Sequence, residues 1–205
     1  MSDRSCEPWK LPPPPAVGDK IVFPLYAAMG LAITMWEMTE LTLAMFYTSL
    51  TSEQEGETFI LQFEFDGSAG FRSRSEKIIK AFDLYAQANP NQEIEGKFSE
   101  IIHRAGQLSM RRNDIAHGMV MDSGGWAEGD PKGCLLFPAW ANYRKWRTGK
   151  RPAYQLNSKQ IVYFAEAFVD LRHDIERLQV LLFGKDHPWS LSEVPENVLV
   201  KSKEV

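Results

Sequence analysis

The chain has 205 residues, 44% hydrophobic, 24% charged and 12% aromatic, which excludes a wholly disordered protein and suits one domain with arms. Lys and Arg number 23 against 27 Asp and Glu, for a net charge of −4, so a strongly basic, histone-like binder of duplex nucleic acid is excluded while a local basic groove is not. The two cysteines, Cys6 and Cys134, form no CxxC, zinc spacing or disulfide framework, which points to a reducing, cytoplasmic setting.

The N-terminus carries no apolar run behind a basic start, so no targeting signal is read there. Residues 1–23 read as a Pro-rich arm. Leu11-Pro12-Pro13-Pro14-Pro15 favours polyproline II. A stiff tether, or an edge packed on the domain surface, fits it better than a ligand for a proline-reading domain.

Residues 25–50 read as a long first helix, apolar nearly all round and therefore a central core helix. A bilayer span needs about 20 predominantly apolar residues, and Glu37 and Glu40 interrupt this one. A membrane-associated regulator with this helix facing lipid is thus the weakest of three functional readings. Phe59, Leu61, Phe63 and Phe65 alternate within 57–66, which fits either a strand or a short helix. A second helix is expected over Phe71–Ala88, stopped by Asn89-Pro90, and a third from about Gln92 to Met110 or beyond.

Glycines punctuate 118–157, which reads as a hairpin insertion pairing Cys134–Phe137 with Ala153–Leu156. Asn157 and Gln160 form a capping box for a last long helix, ended by Gly184. Residues 185–205 read as a tail. The expected fold is mainly α: a bundle of four to five helices over 24–184, with a small β-hairpin between the last two long helices.

The most pointed local feature is Arg111-Arg112-Asn113-Asp114-Ile115-Ala116-His117-Gly118. A helical turn puts Asn113 and His117 on one face, with Arg112 beside it and Ile115 toward the core. The set suits phosphodiester chemistry. His117 can move a proton near neutral pH. Arg112 can clamp phosphate oxygens and stabilise charge developing on them. Asn113 can orient either group, and RNA supplies its own 2′-hydroxyl nucleophile. The plain alternative is a helix C-terminus with Arg and His on its dipole and Asp114 paired to an Arg.

Arg112-Asn113-x-x-x-His117, within Arg-Asn-Asp-Ile-Ala-His-Gly, resembles the signature of the HEPN superfamily (higher eukaryotes and prokaryotes nucleotide-binding), in its bacterial form. The architecture expected over 25–183 is also similar. The resemblance implies a compact helical bundle that pairs as a homodimer, with two motifs facing across a shared cleft. It implies a metal-independent endoribonuclease, often a toxin or defence effector with a neutralising partner protein, and no cofactor. His117 would be the general acid/base, Arg112 would bind the scissile phosphate, and Asn113 would position them. Some superfamily members are inactive, so the second reading is a non-catalytic helical module binding nucleotide, RNA or protein.

Two further groups bear on this site. Trp140, Tyr143, Arg144, Lys145, Trp146, Arg147, Lys150 and Arg151 form a basic, aromatic cluster. With Arg111, it is either a platform for single-stranded RNA or, for the cluster, a hairpin whose aromatics pack on the bundle. Glu37 and Glu40 lie on an apolar helix, where carboxylates need partners. One of them is expected to pair with Arg111 or Arg112 and orient it. A metal site would need more ligands than the sequence offers. His103, His173 and His187 are read as without function, with His173 and Arg172 on a polar face. Met29, Met35, Met38 and Met45 are read as core.

Overall fold

A computed structural model describes residues 7–51, 70–124, 131–138 and 153–184. The possible strand or helix at 57–66, the cluster from Trp140 to Arg151, Cys6, His187 and the tail at 185–205 lie outside the described residues. The described residues form four helices and a two-stranded antiparallel sheet, a mainly α fold with a small β element. The helices are α1 (Val22–Thr51), α2 (Gly70–Ala88), α3 (Gln92–Ala116) and α4 (Ser158–Phe183). The strands β1 (Met119–Asp122) and β2 (Cys134–Phe137) come between α3 and α4.

Helix α1 packs along α4 and also meets α2, α3 and β2. Its buried side carries Leu25, Ala28, Ala32, Trp36, Leu43 and Phe46. Threonines share that side because their hydroxyls donate back into the helix: Thr42 to the Met38 carbonyl at 2.9 Å and Thr48 to that of Ala44 at 3.0 Å. Thr39 donates to Met35 at 2.9 Å and also reaches the Phe168 carbonyl on α4 at 3.1 Å. The opposite side of α1 is a correction to the expectation of a helix buried all round. Phe23, Tyr26, Leu31 and Leu41 are large, apolar and exposed. The described helices cover one face of α1 and leave this one open.

The bundle is closed at one end by rings. Phe82 of α2 stacks on Phe98 of α3 with centroids 3.7 Å apart, and Phe46 of α1 lies 6.1 Å from Phe98. Asn91 caps α3, its side chain accepting from the Glu93 and Ile94 amides at 3.2 and 3.3 Å. The sequence reading assigned it no such role. At α4 the capping box of Asn157 and Gln160 is formed in both directions, and Gly184 ends the helix at φ 86°.

The strand pairing differs from expectation. β2 pairs with Met119–Asp122, in register Met119↔Phe137 to Asp122↔Cys134. Of the expected partner only Leu156 takes part, exchanging amide–carbonyl bonds of 2.8 and 3.0 Å with Leu136. β1 follows α3 within a few residues and lies along β2 on the edge opposite to the one Leu156 uses. The Leu136 bonds use the edge of β2 that β1 leaves free, since alternate residues offer their backbone groups to opposite sides.

On that same edge the N-terminal arm docks. Asp19 and Cys134 exchange backbone bonds of 2.9 and 2.7 Å. The approach is close: a Cβ at Gly133, which sits at φ 109°, would come within 2.7 Å of the Asp19 carbonyl oxygen. The Asp19 carboxylate accepts from the Ser158 amide at 2.8 Å and its hydroxyl at 2.6 Å. Asn157 and Gln160 donate to the carbonyls of Val17 and Pro13 at 3.3 and 3.0 Å. The arm is therefore laid against the start of α4, and α1 begins at Val22, within the stretch read as arm.

Asn157 thus serves both the helix and the arm. Asn157→Ala should lower unfolding stability by about 1 kcal/mol, the usual worth of an N-cap. Urea denaturation should show an earlier midpoint with unchanged slope.

Candidate functional site

Helix α3 continues through the motif and does not stop before it. It runs to Ala116, and the His117 amide donates to the Asn113 carbonyl at 3.0 Å. Ile115 is fully buried and pins this last turn to the core. Asn113 and His117 are both exposed, one turn apart. The His117 ring makes no hydrogen bond to another described residue. Gly118 lets the chain turn tightly into β1, since a Cβ there would meet Leu136 Cδ1 at 2.6 Å.

The two arginines of the motif have different surroundings. Arg111 pairs with Asp114, Nη2 to Oδ2 at 3.0 Å, and is largely buried. Burial pushes the Asp114 carboxyl above the usual range, and the Arg111 charge pulls it back in part. Tyr154 donates its hydroxyl to the Asp114 carbonyl at 2.8 Å. Burial and then the Asp114 charge drive that phenol well above its ordinary value, so it stays a donor. Arg111, expected among the RNA contacts, is committed to this structural pair.

Arg112 turns to α1. Its Nη2 lies 3.5 Å from Glu40 Oε1 and 3.9 Å from Glu37 Oε1. Its Nη1 donates to Asn113 Oδ1 at 3.0 Å. Its guanidinium carbon is 5.9 Å from the Trp36 ring centroid, within cation–π range. Glu40 is buried at 8% exposure, whereas the Glu37 side chain is 60% exposed. Glu40 has two stronger partners: Trp36 Nε1 donates to Oε1 at 2.8 Å, and Arg74 Nη2 reaches Oε2 at 2.8 Å.

Glu40 is thus the meeting point of α1, α2 and α3. Arg74 is the residue that sequence reasoning missed. Its signal is a cation on the apolar stripe of α2, at helical spacing from the buried Ile78 and Phe82. Such a charge needs a buried partner, and Glu40 on α1 presents the matching anomaly.

Five residues on a helix are about 140° apart around the axis. Arg112 leads toward α1 and His117 toward solvent, so one chain does not direct both onto one face.

The other histidines sit as follows. His103 takes an edge contact with Trp9 at 5.8 Å. His173 lies 3.2 Å from Arg172 Nη2, but Arg172 is 7% exposed, so that side of α4 is not the polar face expected. Its Nε lies 3.3 Å from Glu176 Oε1 one turn on, an ion pair that does not satisfy either atom as a hydrogen bond. Met29 and Met35 pack against the core. Among the described residues, no three His, Cys, Asp or Glu side chains gather as a metal site would require, and no helix is long and apolar enough to cross a membrane. No family model, no curated protein and no solved structure matches the chain.

Removing the Glu40 carboxylate leaves two guanidiniums and an indole N–H without their acceptor. Glu40→Ala should cost about 3 kcal/mol, the usual penalty for breaking a buried pair from one side. Glu40→Gln, which keeps an acceptor oxygen, should cost clearly less in the same guanidinium titration.

Proposed function

We propose that the chain is a metal-independent endoribonuclease of HEPN type that acts as a homodimer. The observation that carries this reading is Arg112, held by the buried Glu40 and by Asn113, on the same helix end as the exposed His117. In the proposed reaction His117 takes the proton of an RNA 2′-hydroxyl. The 2′-oxygen attacks the adjacent phosphorus, and the bond to the 5′-oxygen breaks. The leaving oxygen takes a proton from a second imidazole, supplied by His117 of the other copy. Arg112 binds the non-bridging oxygens and stabilises their added charge. The products are a 2′,3′-cyclic phosphate and a 5′-hydroxyl. The basic, aromatic residues from Trp140 to Arg147 would carry the flanking strand. A toxin or defence role, a cytoplasmic setting and a neutralising partner belong to the same reading.

The test is cleavage of several RNAs with EDTA present. Wild type should cut and leave cyclic phosphate ends, and His117→Ala should fall by about 10²- to 10⁴-fold, the range of general acid–base catalysis. Equal cleavage by both proteins removes His117 from the reaction. Cleavage by neither favours the non-catalytic module, for which the ion pairing of Arg112 within one chain is the observation in support.

The homodimer reading has its own support. Phe23, Tyr26, Leu31 and Leu41 expose an apolar stripe on α1, and helical spacing puts Glu37, the outer neighbour of Arg112, on the same face. A second copy covering that stripe would bring a second motif close to the first. Tyr26→Glu with Leu31→Glu should turn a dimer into a monomer in sedimentation velocity and lose cleavage with it. A wild-type monomer at assay concentration would overturn the dimer.

A further inference from the structure

Arg74 stands outside the motif, on a different helix, yet it reaches Oε2 of Glu40 at 2.8 Å. The distances rank the partners of this carboxylate. Oε2 is occupied by Arg74 at 2.8 Å and Oε1 by the Trp36 indole at 2.8 Å. Arg112 has only a share of Oε1, at 3.5 Å. The Nε atoms of Arg74 and Arg112 are both buried without a hydrogen-bond partner, so neither guanidinium grips the carboxylate with its full fork.

A carboxylate without Arg74 would have Oε2 free. An arginine beside it would then close into the two-bond, fork-to-fork arrangement that such pairs favour. Arg112 is the guanidinium in reach. So paired, in a partly buried position, it would have little charge and few N–H groups left for another anion. As the structure stands, two guanidiniums face one buried carboxylate, and the second carboxylate, Glu37, is largely in solvent at 3.9 Å.

We propose that Arg74 is a positioning residue of the Arg112 site: by occupying Oε2 of Glu40 it limits Arg112 to one long contact with that carboxylate, and so leaves it open to a phosphodiester. This rests on the reading of Arg112 as the phosphate-binding group. A residue that merely ties α2 to α1 would contribute to stability alone. The proposal demands more, because it assigns Arg74 an effect on anion affinity that passes through the charge of Glu40.

The probe is a short, fluorescently labelled, 2′-O-methylated RNA, which lacks the nucleophile and reports binding without cleavage. Arg74→Met should weaken its binding by about tenfold, the usual scale for one charge-assisted contact. Arg74→Lys keeps a cation on Oε2 and should bind as wild type. The deciding variant is Arg74→Met combined with Glu40→Gln. The neutral amide of that double variant cannot draw in Arg112, so binding should return to near the wild-type level although the protein is no more stable. Should Arg74→Met not fold, Glu40→Gln alone serves: both guanidiniums lose their competing charge, and binding should tighten. Failure of the double variant to restore binding, or weaker binding by Glu40→Gln, overturns the proposal and leaves Arg74 a structural tie. Wild-type affinity in Arg74→Met beside lost affinity in Arg112→Met overturns the proposal while sustaining the site. Unchanged affinity in Arg112→Met removes the phosphate site itself, and the role of Arg74 with it.

Discussion

The Glu40 carboxylate is buried where three helices meet, and their relative placement depends on keeping it satisfied. Desolvating such a group costs several kcal/mol unless its partners are well placed. Here the partners come from Trp36 one turn earlier on α1, from Arg74 on α2 and from Arg112 on α3. Sliding or rotating any one of these helices would open a contact to a buried charge. The apolar core supplies most of the driving force that brings the helices together, and that force is not directional. The carboxylate adds the directional element. Trp36 then links it to the fourth helix, packing edge-on against Phe168 with centroids 5.2 Å apart.

The end of α3 is held from two sides, which accounts for the different states of its charged residues. Arg111 and Asp114 pair with one another, and Tyr154 bonds the helix to the segment leading into α4. Arg112 holds the other side to α1. Ile115 is fully buried in the core. His117 is held at the end of this turn through its backbone bond to the Asn113 carbonyl, while its side chain is exposed.

Much of this was legible in the sequence, and for identifiable reasons. The long helices follow from apolar periodicity, and the start of α4 from the Asn157 and Gln160 pair. That Glu40 needs an arginine follows from a carboxylate on an apolar stripe. Arg74 is not legible in the same way, because a single cation in a helix rich in Arg and Lys looks like surface until its neighbours are known. The strand partner of Cys134–Phe137 was misplaced because Met119-Val120-Met121-Asp122 has no alternation of apolar and polar residues, whereas Ala153–Leu156 has some. β2 offers two edges, one taken by β1 and the other by Leu156 and Asp19, and a four-residue pattern does not tell which segment takes which. The arm illustrates the same limit, since its docking rests on backbone bonds at Asp19 and Cys134 that composition does not reveal.

The open face of α1 and the Arg112 site are linked by one geometric fact. Glu37 and Glu40 are three residues apart, so they lie about 60° from each other around the helix axis. That interval straddles the boundary between the buried and open faces, with Glu40 inside and Glu37 outside. Arg112 sits at the boundary and senses both. Water screens the outer carboxylate while the face is open. Covering the face with apolar surface would remove that water and strengthen the hold of Glu37 on Arg112. Any surface seated there would therefore have to offset that hold with polar groups of its own. The exposed apolar stripe of α1 and the ion pairs of Arg112 thus meet at Glu37.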